Sequence, residues 1–498
     1  MKVRRLFLGF AAYGFGDFIL GGLGFFIVMP LLTHFVTPAE YGIVASLNAI
    51  NLMLVSIMQF GIPSAVFRYY FLYEKGHSRN AFFGSMWLFS LFLSGLMLLI
   101  FQLFGRSTWD MLIRVAPFSV YAQYVISSAF FQISAIFCSV LLRAQERPRL
   151  FVLMSIAQAL CYIVLIYYHV VVLKQGALGQ VKSSFYSSLL FASISAIILI
   201  SNLRFQPQLR HFRESLSFAA PIFLTYLIGF FVTRANVLIL QYFVVGGIVG
   251  IFALGVQLSN IIYMISGAFE KAWQPFLYSL SPDRARIVLS QYLRFSVLIF
   301  IFLALVMGLF ASEIIKVLAT RNYSEAWSVV AITAIGTACV AISAVPAGAI
   351  YYAKQSGFIA WVTFAMAIIN VGINLLLIPY LGMMGAVFTN MLVGIGTLIF
   401  NMWGMHKYLK IKVNYQHFLT TICFGVIILI IGSWGGIVWS NSIIFVSLTI
   451  KCLLLLCFCV LLWLFGIFPS KEDRWMWPYF MSIIRIGPYK IQNKVKNR

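Results

Sequence analysis

The sequence predicts an all-α polytopic membrane protein with about fourteen transmembrane helices, and its composition, apolar runs and charge placement each support this fold class. Apolar residues make up 62% of the 498 residues and charged residues only 9%, and the mean hydropathy is +0.97. A soluble core cannot bury such a large apolar share, so lipid must act as the solvent for much of the chain.

Apolar runs of about 20 residues, the length that a ~30 Å hydrocarbon layer requires, recur along the whole sequence with short connections. The predicted spans are residues 9–33, 42–66, 81–104, 115–142, 150–173, 184–203, 217–244, 248–270, 292–315, 326–351, 358–380, 383–404, 417–438 and 443–467.

The 35 Lys and Arg residues are divided unequally between the two sides of these spans. With the N-terminus in the cytoplasm, 27 of them fall on the cytoplasmic side and six on the other. Loops rich in Lys and Arg stay in the cytoplasm, so both termini are predicted to be cytoplasmic. The segment 469–498 is then a basic cytoplasmic tail that lies near the anionic inner leaflet.

The chain also repeats itself at a spacing of 206 to 209 residues. Tyr41-Gly42-Ile43 is echoed by Val249-Gly250-Ile251, residues 141–151 by residues 350–360, and Gly176-Ala-Leu-Gly179 by Gly382-Met-Met-Gly385. Because six helices return the chain to its starting side, the two halves are predicted to be parallel repeats. The predicted domains are an N-lobe (1–205, helices 1–6), a C-lobe (206–410, helices 7–12), two further helices (411–468) and the tail.

Several functions are disfavoured by residues that the sequence lacks or scatters. The net charge of +23 is dispersed between apolar spans, unlike the single basic patch of a nucleic-acid-binding protein. The sequence has no GxxxxGK[ST] run for ATP binding, and its six histidines do not cluster at metal-ligand spacing. The seven cysteines lie in apolar runs without CxxC spacing, which favours packing roles.

Arg234 is a charged residue within a long apolar run, residues 215–252. A charge near the bilayer centre costs about 2.5 to 3.5 kcal/mol on insertion scales, so it normally faces a protein interior or a watery cavity. One alternative is a side chain that reaches outward to the interface from a tilted helix. We expect Arg234 to face the cleft between the lobes and to contact an anionic substrate.

Other polar residues of the spans are candidates for the same cavity. Asp17 is the one acidic residue clearly within a predicted span, either as a proton or cation site or as a partner of a nearby arginine. Two pairs of amides at i, i+3 spacing, Asn48 with Asn51 and Gln257 with Asn260, occupy corresponding places in the two halves. Hydrogen bonds between helices are the alternative role for these amides.

Arg68 and Lys354 lie at the predicted cytoplasmic ends of even-numbered spans. We expect them to capture a substrate headgroup from the inner leaflet, and ordinary anchoring by positive charge is the alternative.

Four runs of the sequence resemble a known family, the polysaccharide-export branch of the superfamily that includes multidrug exporters and lipid II flippases. They are MPLLTHFVTPAEYGIVASL, RANVLILQYFVVGGIVGIFALGVQL, FEKAWQPF and NVGINLLLIPYLGMMGAVFTN. The resemblance implies a two-lobed transporter of the bacterial cytoplasmic membrane that flips undecaprenyl-pyrophosphate-linked oligosaccharides by alternating access. Many relatives carry an acidic residue where this chain has Asn236, so the resemblance does not extend to ion coupling at that position.

Three functions stay open at this point. A lipid-linked oligosaccharide flippase for O-antigen, capsule or exopolysaccharide synthesis agrees with a cavity arginine, because a guanidinium binds pyrophosphate through paired donors. A multidrug or metabolite cation antiporter would need more cavity carboxylates than Asp17. A scaffold or scramblase-like assembly protein is the third. No enzymatic activity and no cofactor are expected, with coupling to a proton or sodium gradient left open. Expected partners are membrane lipids, with a polysaccharide polymerase and a chain-length regulator as further candidates, and no nucleic acid.

Overall fold

The computed structural model describes Gly22 and residues 24–70, 77–203, 209–244, 246–278, 280–411, 415–438 and 444–465. Every regular element in these residues is helical, which confirms the predicted all-α fold class. Asp17 and the tail 469–498 lie outside the described residues, as do the ends of the chain whose orientation the charge distribution predicts.

We number the α-helices of the described residues in chain order. They are α1 Met29–Phe35, α2 Pro38–Gln59, α3 Ile62–Tyr70, α4 His77–Phe104, α5 Arg106–Leu112, α6 Phe118–Ala144, α7 Pro148–Ile166, α8 Gly176–Asn202, α9 Leu209–Phe243, α10 Ile248–Tyr278, α11 Pro282–Leu309, α12 Ala311–Leu318, α13 Ala326–Tyr352, α14 Ser356–Leu381, α15 Met383–Leu409, α16 Tyr415–Val438 and α17 Ile444–Leu464. A π-helical turn precedes α1 at Gly24–Val28, another follows α7 at Tyr167–Val172, and a 3-10 turn at Arg321–Tyr323 precedes α13.

Twelve helices of the described residues are long and apolar enough to cross a membrane by length and composition, namely α2, α4, α6 to α11, α13 to α15 and α17. Two shorter apolar helices, Phe25–Phe35 and Gln416–Gly432, fall on the predicted first and thirteenth spans. The fourteen predicted spans therefore all coincide with apolar helices, although only part of the first span is described.

The helix boundaries themselves repeat along the chain. Phe118–Ala144 and Ala326–Tyr352 are displaced by 208 residues at both ends. Gly176–Asn202 and Met383–Leu409 are displaced by 207 residues at both ends. These displacements match the spacing of the sequence echoes. The domain boundaries drawn from those echoes stay a prediction.

Local sequence explains where the second predicted span begins and why it is divided. Thr37 and Glu40 form a capping box at the start of α2, with Pro38 at its first position. At the other end, Phe60 and Gly61 have φ values of 48° and 69°, in the left-handed region that a helix cannot continue through. The span is therefore two helices, α2 and α3, joined by a short break.

The last two helices pack against α11 through small residues of α16 and are joined to α12 by one ion pair of α17. Gly425 and Gly432 of α16 lie against Ile301 and Leu309 of α11. In α17, Lys451 is only 4% exposed, and its Nζ lies 2.6 Å from Glu313 Oε1 and 3.2 Å from Ser312 Oγ. Lys451 is thus paired with a carboxylate inside the protein. Its side chain neither contacts a lipid phosphate nor extends outward to the membrane interface.

Candidate translocation cleft

One face of α9 packs against the first half of the chain. At its predicted inner end, a Cβ added to Gly61 would lie 2.5 Å from the carbonyl oxygen of Ala219, so only glycine fits this approach. The rings of Phe60 and Phe223 stack beside it, with centroids 4.5 Å apart. The break in the second span is therefore also the point where α9 comes closest to that span.

Arg234 lies on this same face of α9. Phe230 and Leu238 are buried in the hydrophobic cluster of the first half. Positions four residues apart lie on one side of a helix, so Arg234, midway between them, faces the first half as well. Its side chain is partly buried and forms no hydrogen bond or ion pair within the described residues. The structure thus places an unpaired guanidinium where the two halves meet.

The antiparallel packing of α2 and α9 determines which residue lies level with Arg234. Gly61 lies beside Ala219, and Ala45 packs against the cluster that contains Val237. Because both helices rise about 1.5 Å per residue, Asn48 comes level with Arg234. Asn48 is exposed and shares its face of α2 with Ala45, which contacts the second half. The exposed amide and the unpaired guanidinium therefore border the same space.

The cleft is closed at the end where α2 and α10 begin. A Cβ added to Gly42 would lie 3.0 Å from the backbone nitrogen of Gly250 and 3.2 Å from Val249 Cβ. A Cβ on Gly250 would overlap the carbonyl oxygen of Pro38. Small residues permit such close crossings of membrane helices. In the orientation predicted from Lys and Arg, this crossing lies at the outer side of the membrane.

Hydrogen bonds between the halves reinforce this closed end. Tyr41 donates to Gln257 Oε1 over 2.9 Å, and Tyr323 donates to the carbonyl oxygen of Val36 over 2.8 Å. Thr33 donates to the carbonyl oxygen of Leu318 over 2.9 Å. We call these three bonds, together with the Gly42–Gly250 crossing, the outer latch.

The four predicted amides do not all face the cleft. Gln257 is exposed, and Asn260 lies three residues later on the same side of α10 and is half-buried. Asn51 instead points into the first half, because its Nδ2 donates to the carbonyl oxygen of Val125 and its Oδ1 accepts from Gln132. Asn48, Gln257 and Asn260 thus lie on the sides of α2 and α10 that face between the halves, whereas Asn51 is partly buried and hydrogen-bonded within the first half, and the cavity role of all four stays a prediction.

A chain of four asparagines connects α9, α14 and α15 within the second half. Asn236 donates to Asn390 Oδ1. Asn374 donates to Asn236 Oδ1 and to Asn370 Oδ1, each over 2.8 Å. Asn370 donates onward to the carbonyl oxygen of Val232 over 3.1 Å. Asn236, Asn370 and Asn374 are at most 2% exposed. Asn236 is therefore part of a neutral amide network.

The two predicted gate residues are both exposed. The Arg68 guanidinium lies 4.4 Å from the centroid of the Phe218 ring on α9. Lys354 follows α13 directly and has a φ of 59°. No hydrogen bond or ion pair joins either side chain to the part of the chain that the structure describes, so both charges are free to meet an anionic headgroup.

Sequence inspection singled out Gly42 and Gly250 only as parts of an echo, and it gave no role to Tyr41, Tyr323 or Asn390. The echo was itself the signal for the latch, because the two copies of the repeated tripeptide contact each other. No group of three or more His, Cys, Asp or Glu residues that could hold a metal ion occurs among the described residues.

The described helices thus form two repeated halves of a polytopic membrane protein, with polar side chains where the halves meet. The family model for the polysaccharide biosynthesis protein family matches residues 11–281, more than half of the chain. The chain therefore belongs to the polysaccharide biosynthesis protein family.

Solved structures share the fold at low sequence identity. The lipid II flippase MurJ in an inward closed conformation has a TM-score of 0.71 and 13% identity, covering 91% of this chain and 99% of its own. An inward-facing multidrug resistance MATE family transporter of the MOP superfamily has a TM-score of 0.54 and 15% identity, covering 79% of this chain and 96% of its own. A complex of the MATE multidrug transporter DinF-BH has a TM-score of 0.60 and 15% identity, covering 82% of this chain and 96% of its own. No curated protein sequence matches the chain.

Proposed function

We propose that this protein flips an undecaprenyl-pyrophosphate-linked oligosaccharide from the inner to the outer leaflet of the bacterial cytoplasmic membrane. The observation that carries the proposal is Arg234, a partly buried guanidinium without a partner in the described residues, on the face of α9 where the halves meet. A charge in a span is normally paired or meets a charged ligand. A pyrophosphate fits it, because its oxygens accept two parallel hydrogen bonds from the guanidinium fork.

The walls of the cleft suit the rest of such a substrate. Asn48, Gln257 and Asn260 offer neutral amide donors and acceptors, which match sugar hydroxyls without requiring a charge. At the opposite end from the outer latch, Arg68 and Lys354 present free cations to the headgroup as it arrives. In this proposal the headgroup enters past these two residues and then binds Arg234.

Alternating access follows from the outer latch. With the predicted orientation, the described conformation is closed towards the outside, so release requires α2 and α10 to separate at Gly42 and Gly250. The three hydrogen bonds of the latch are each worth about 0.5 to 1.5 kcal/mol, which makes the closed state stable yet reversible. We further propose that a proton or sodium gradient drives this change and that Asp17 is the carboxylate that binds the ion. The proposed protein partners are a polysaccharide polymerase and a chain-length regulator.

Replacement of Arg234 tests the flippase proposal. Arg234→Ala should abolish surface glycan and cause lipid-linked intermediates to accumulate on the cytoplasmic face, whereas Arg234→Lys should restore part of the export because it keeps the charge and loses the planar fork. Surface glycan, intermediates and protein level are measured together. Arg106→Ala is the matched control, because Arg106 is exposed and only pairs with Asp110 on its own helix.

Normal glycan export by Arg234→Ala, at normal protein level, would rule the proposal out. The MATE-like fold makes a cation antiporter the second candidate. A cationic substrate is repelled by Arg234, so under that function Arg234→Ala should raise drug efflux and leave surface glycan unchanged.

A further inference from the structure

A polar cavity lies inside the first half, between α6, α7 and α8, apart from the cleft between the halves. Its volume is about 160 Å³, and its polar lining includes Arg143, Ser139, Ser155, Gln158 and Ser195. Ligand pockets for complete small molecules are usually about 300 Å³ or larger, so this space suits a headgroup fragment or several water molecules. Arg143 belongs to the last turn of α6, which is the inner end in the predicted orientation.

The polar groups around this cavity are incompletely satisfied by the protein. Arg143 Nε donates to the carbonyl oxygen of Ser139 over 3.3 Å, and its remaining guanidinium donors have no partner among the described residues. Neither the Ser139 hydroxyl nor the Gln158 amide forms a hydrogen bond with the described part of the chain. Arg143 is exposed and lies just past the predicted span 115–142, so its free donors are available to oxygen acceptors of a headgroup at the inner leaflet.

The corresponding helices of the second half carry other residues at these positions. With the 208-residue displacement, Gln158 and Ser139 correspond to Met366 and Ala347, and with the 207-residue displacement Ser195 corresponds to Met402. Met366 is 2% exposed and Met402 6% exposed. Met366 is buried together with Val362 and Val393 and fills the space with apolar atoms. Ser155 and Arg143 correspond to Thr363 and Tyr351, so the second half has polar residues at two of these five positions and apolar residues at the other three.

We propose that this cavity binds the phosphate-bearing headgroup of a phospholipid from the inner leaflet, with Arg143 as the phosphate ligand and Gln158 as the hydrogen-bond donor to its ester or glycerol oxygens. Basic pockets between transmembrane helices at the cytoplasmic side are typical sites for anionic headgroups. The site lies within one half, so it is distinct from the substrate path of the proposed flippase. A bound lipid there bridges α6, α7 and α8 at their inner ends.

Native mass spectrometry of the detergent-purified full chain tests this binding. The probes are phosphatidylglycerol, a diacylglycerol that lacks the phosphate, and undecaprenyl pyrophosphate. Wild-type protein should retain phosphatidylglycerol and not diacylglycerol. Arg143→Gln should weaken phosphatidylglycerol binding roughly tenfold or more, the effect expected for one hydrogen-bonded charge. Arg147→Gln, an exposed arginine outside the cavity lining, should bind as the wild type does.

A second variant copies the second half into the first. Gln158→Met with Ser195→Met should fill the cavity and abolish phosphatidylglycerol retention while Arg143 stays in place. If the filled variant is unstable, phosphatidylglycerol binding by Arg143→Gln still tests the proposal. The Arg143 side chain is exposed, so its replacement leaves the packing unchanged.

Three results would overturn the proposal. One is equal phosphatidylglycerol binding by the wild type, Arg143→Gln and the filled variant, which indicates a cavity occupied by water only. Another is equal weakening by Arg147→Gln, which indicates a general charge effect. The third is Arg143-dependent binding of undecaprenyl pyrophosphate without phosphatidylglycerol binding, which assigns the site to the substrate. Loss of undecaprenyl pyrophosphate binding in Arg234→Ala alone would bear on the flippase proposal and leave the lipid site intact.

Discussion

The two halves of the molecule have matching helices and different polar interiors. In the first half, Asn51 accepts from Gln132, which also donates to Ser128, and Ser128 in turn lies 3.1 Å from Ser188. This chain of mixed amides and hydroxyls runs between α2, α6 and α8. In the second half, asparagines alone connect α9, α14 and α15. The helical repeat therefore fixes the backbone arrangement, whereas the polar side chains inside each half have diverged.

The halves also differ in what they hold at their edges. The first half retains a polar cavity where the second half packs methionine. Only the second half carries the additional helices α16 and α17, held through Lys451 and Glu313. Both copies of the repeat therefore contribute to the close helix contact. The polar cavity and the attachment of α16 and α17 each belong to one copy only. The predictions below test this division, beginning with the contact that both copies share.

Gly250→Val should have the largest effect, because its side chain would overlap the Pro38 carbonyl and force α2 away from α10. We expect loss of glycan export and a cleft that stays open at the outer latch. The measurement is the reaction of Asn48→Cys with a membrane-impermeant thiol reagent added outside whole cells, with the labelling of the parent chain subtracted. Labelling of the introduced thiol should be absent when residue 250 is glycine and present in the Gly250→Val variant.

Gly267→Ala is the matched control on the same helix, because a Cβ there meets nothing within 4 Å. Gly267→Ala alone should export glycan, and combined with Asn48→Cys it should leave the introduced thiol unlabelled. Unlabelled Gly250→Val protein would show that the glycine crossing does not close the cleft, and labelling from the inner side alone would reverse the predicted orientation.

Lys451→Met tests the attachment that only the second half has. It leaves Glu313 without its partner, and breaking a buried ion pair costs about 3 to 5 kcal/mol. The Glu313 side chain is 22% exposed, so we expect the lower end of that range, about 3 kcal/mol. The measurement is the thermal unfolding midpoint in detergent. Lys451→Met combined with Glu313→Leu should recover most of the loss, and an unchanged midpoint in the single variant would contradict a stabilising pair.

The same pair predicts a dependence of stability on pH. Glu313 lies in α12, after the spanning helix α11 ends at Leu309 and so beyond the structural end of the predicted span 292–315. Burial raises its pKa, but hydrogen bonds from Lys451 and Ser312 outweigh burial and hold the pKa below its ordinary value of 4.5. A group whose pKa is lowered by folding stabilises the protein fully above its unfolded pKa, and the stabilisation is lost as the pH falls through the folded pKa. Wild-type protein should therefore lose more stability below pH 4.5 than Glu313→Gln does.

Asn374→Ala and Asn51→Ala compare the two polar interiors directly. Asn374→Ala leaves Asn236 Oδ1 and Asn370 Oδ1 buried without a donor, at a cost of about 1 to 3 kcal/mol. Asn51→Ala removes bonds from a partly buried site, and inter-helix bonds of this kind average about 0.6 kcal/mol in membrane proteins. Thermal unfolding of the two variants in parallel should show the larger loss for Asn374→Ala. Equal losses would mean that the second-half network is not the more tightly satisfied one.

Sequence patterns predicted the helices well and the contacts of individual side chains poorly. Apolar length and charge placement locate the spans, because the hydrocarbon layer imposes both on every membrane helix. Asn51 was assigned to the cavity together with Asn48, yet its partners Val125 and Gln132 depend on how α6 packs against α2, which the sequence of α2 alone does not show. Lys451 gave no hint of Glu313, since the two are 138 residues apart.

Arg234 is the opposite case. Its cost in lipid predicted a protein or water environment from one residue, and the structure places it on the face of α9 between Phe230 and Leu238. What the sequence could not supply was its neighbour across the space, because that depends on the register of α2 against α9. Its contact with substrate stays a prediction until the Arg234 variants are measured.

The contact between Gly42 and Gly250 has the form of a subunit interface. In a two-fold symmetric homodimer, the residues on the axis meet their own copies, so one substitution changes both sides of the contact. Here the same tripeptide position of each repeat meets its counterpart, but the two copies are encoded separately. A larger residue can therefore arise on one side alone, and the other side can compensate independently.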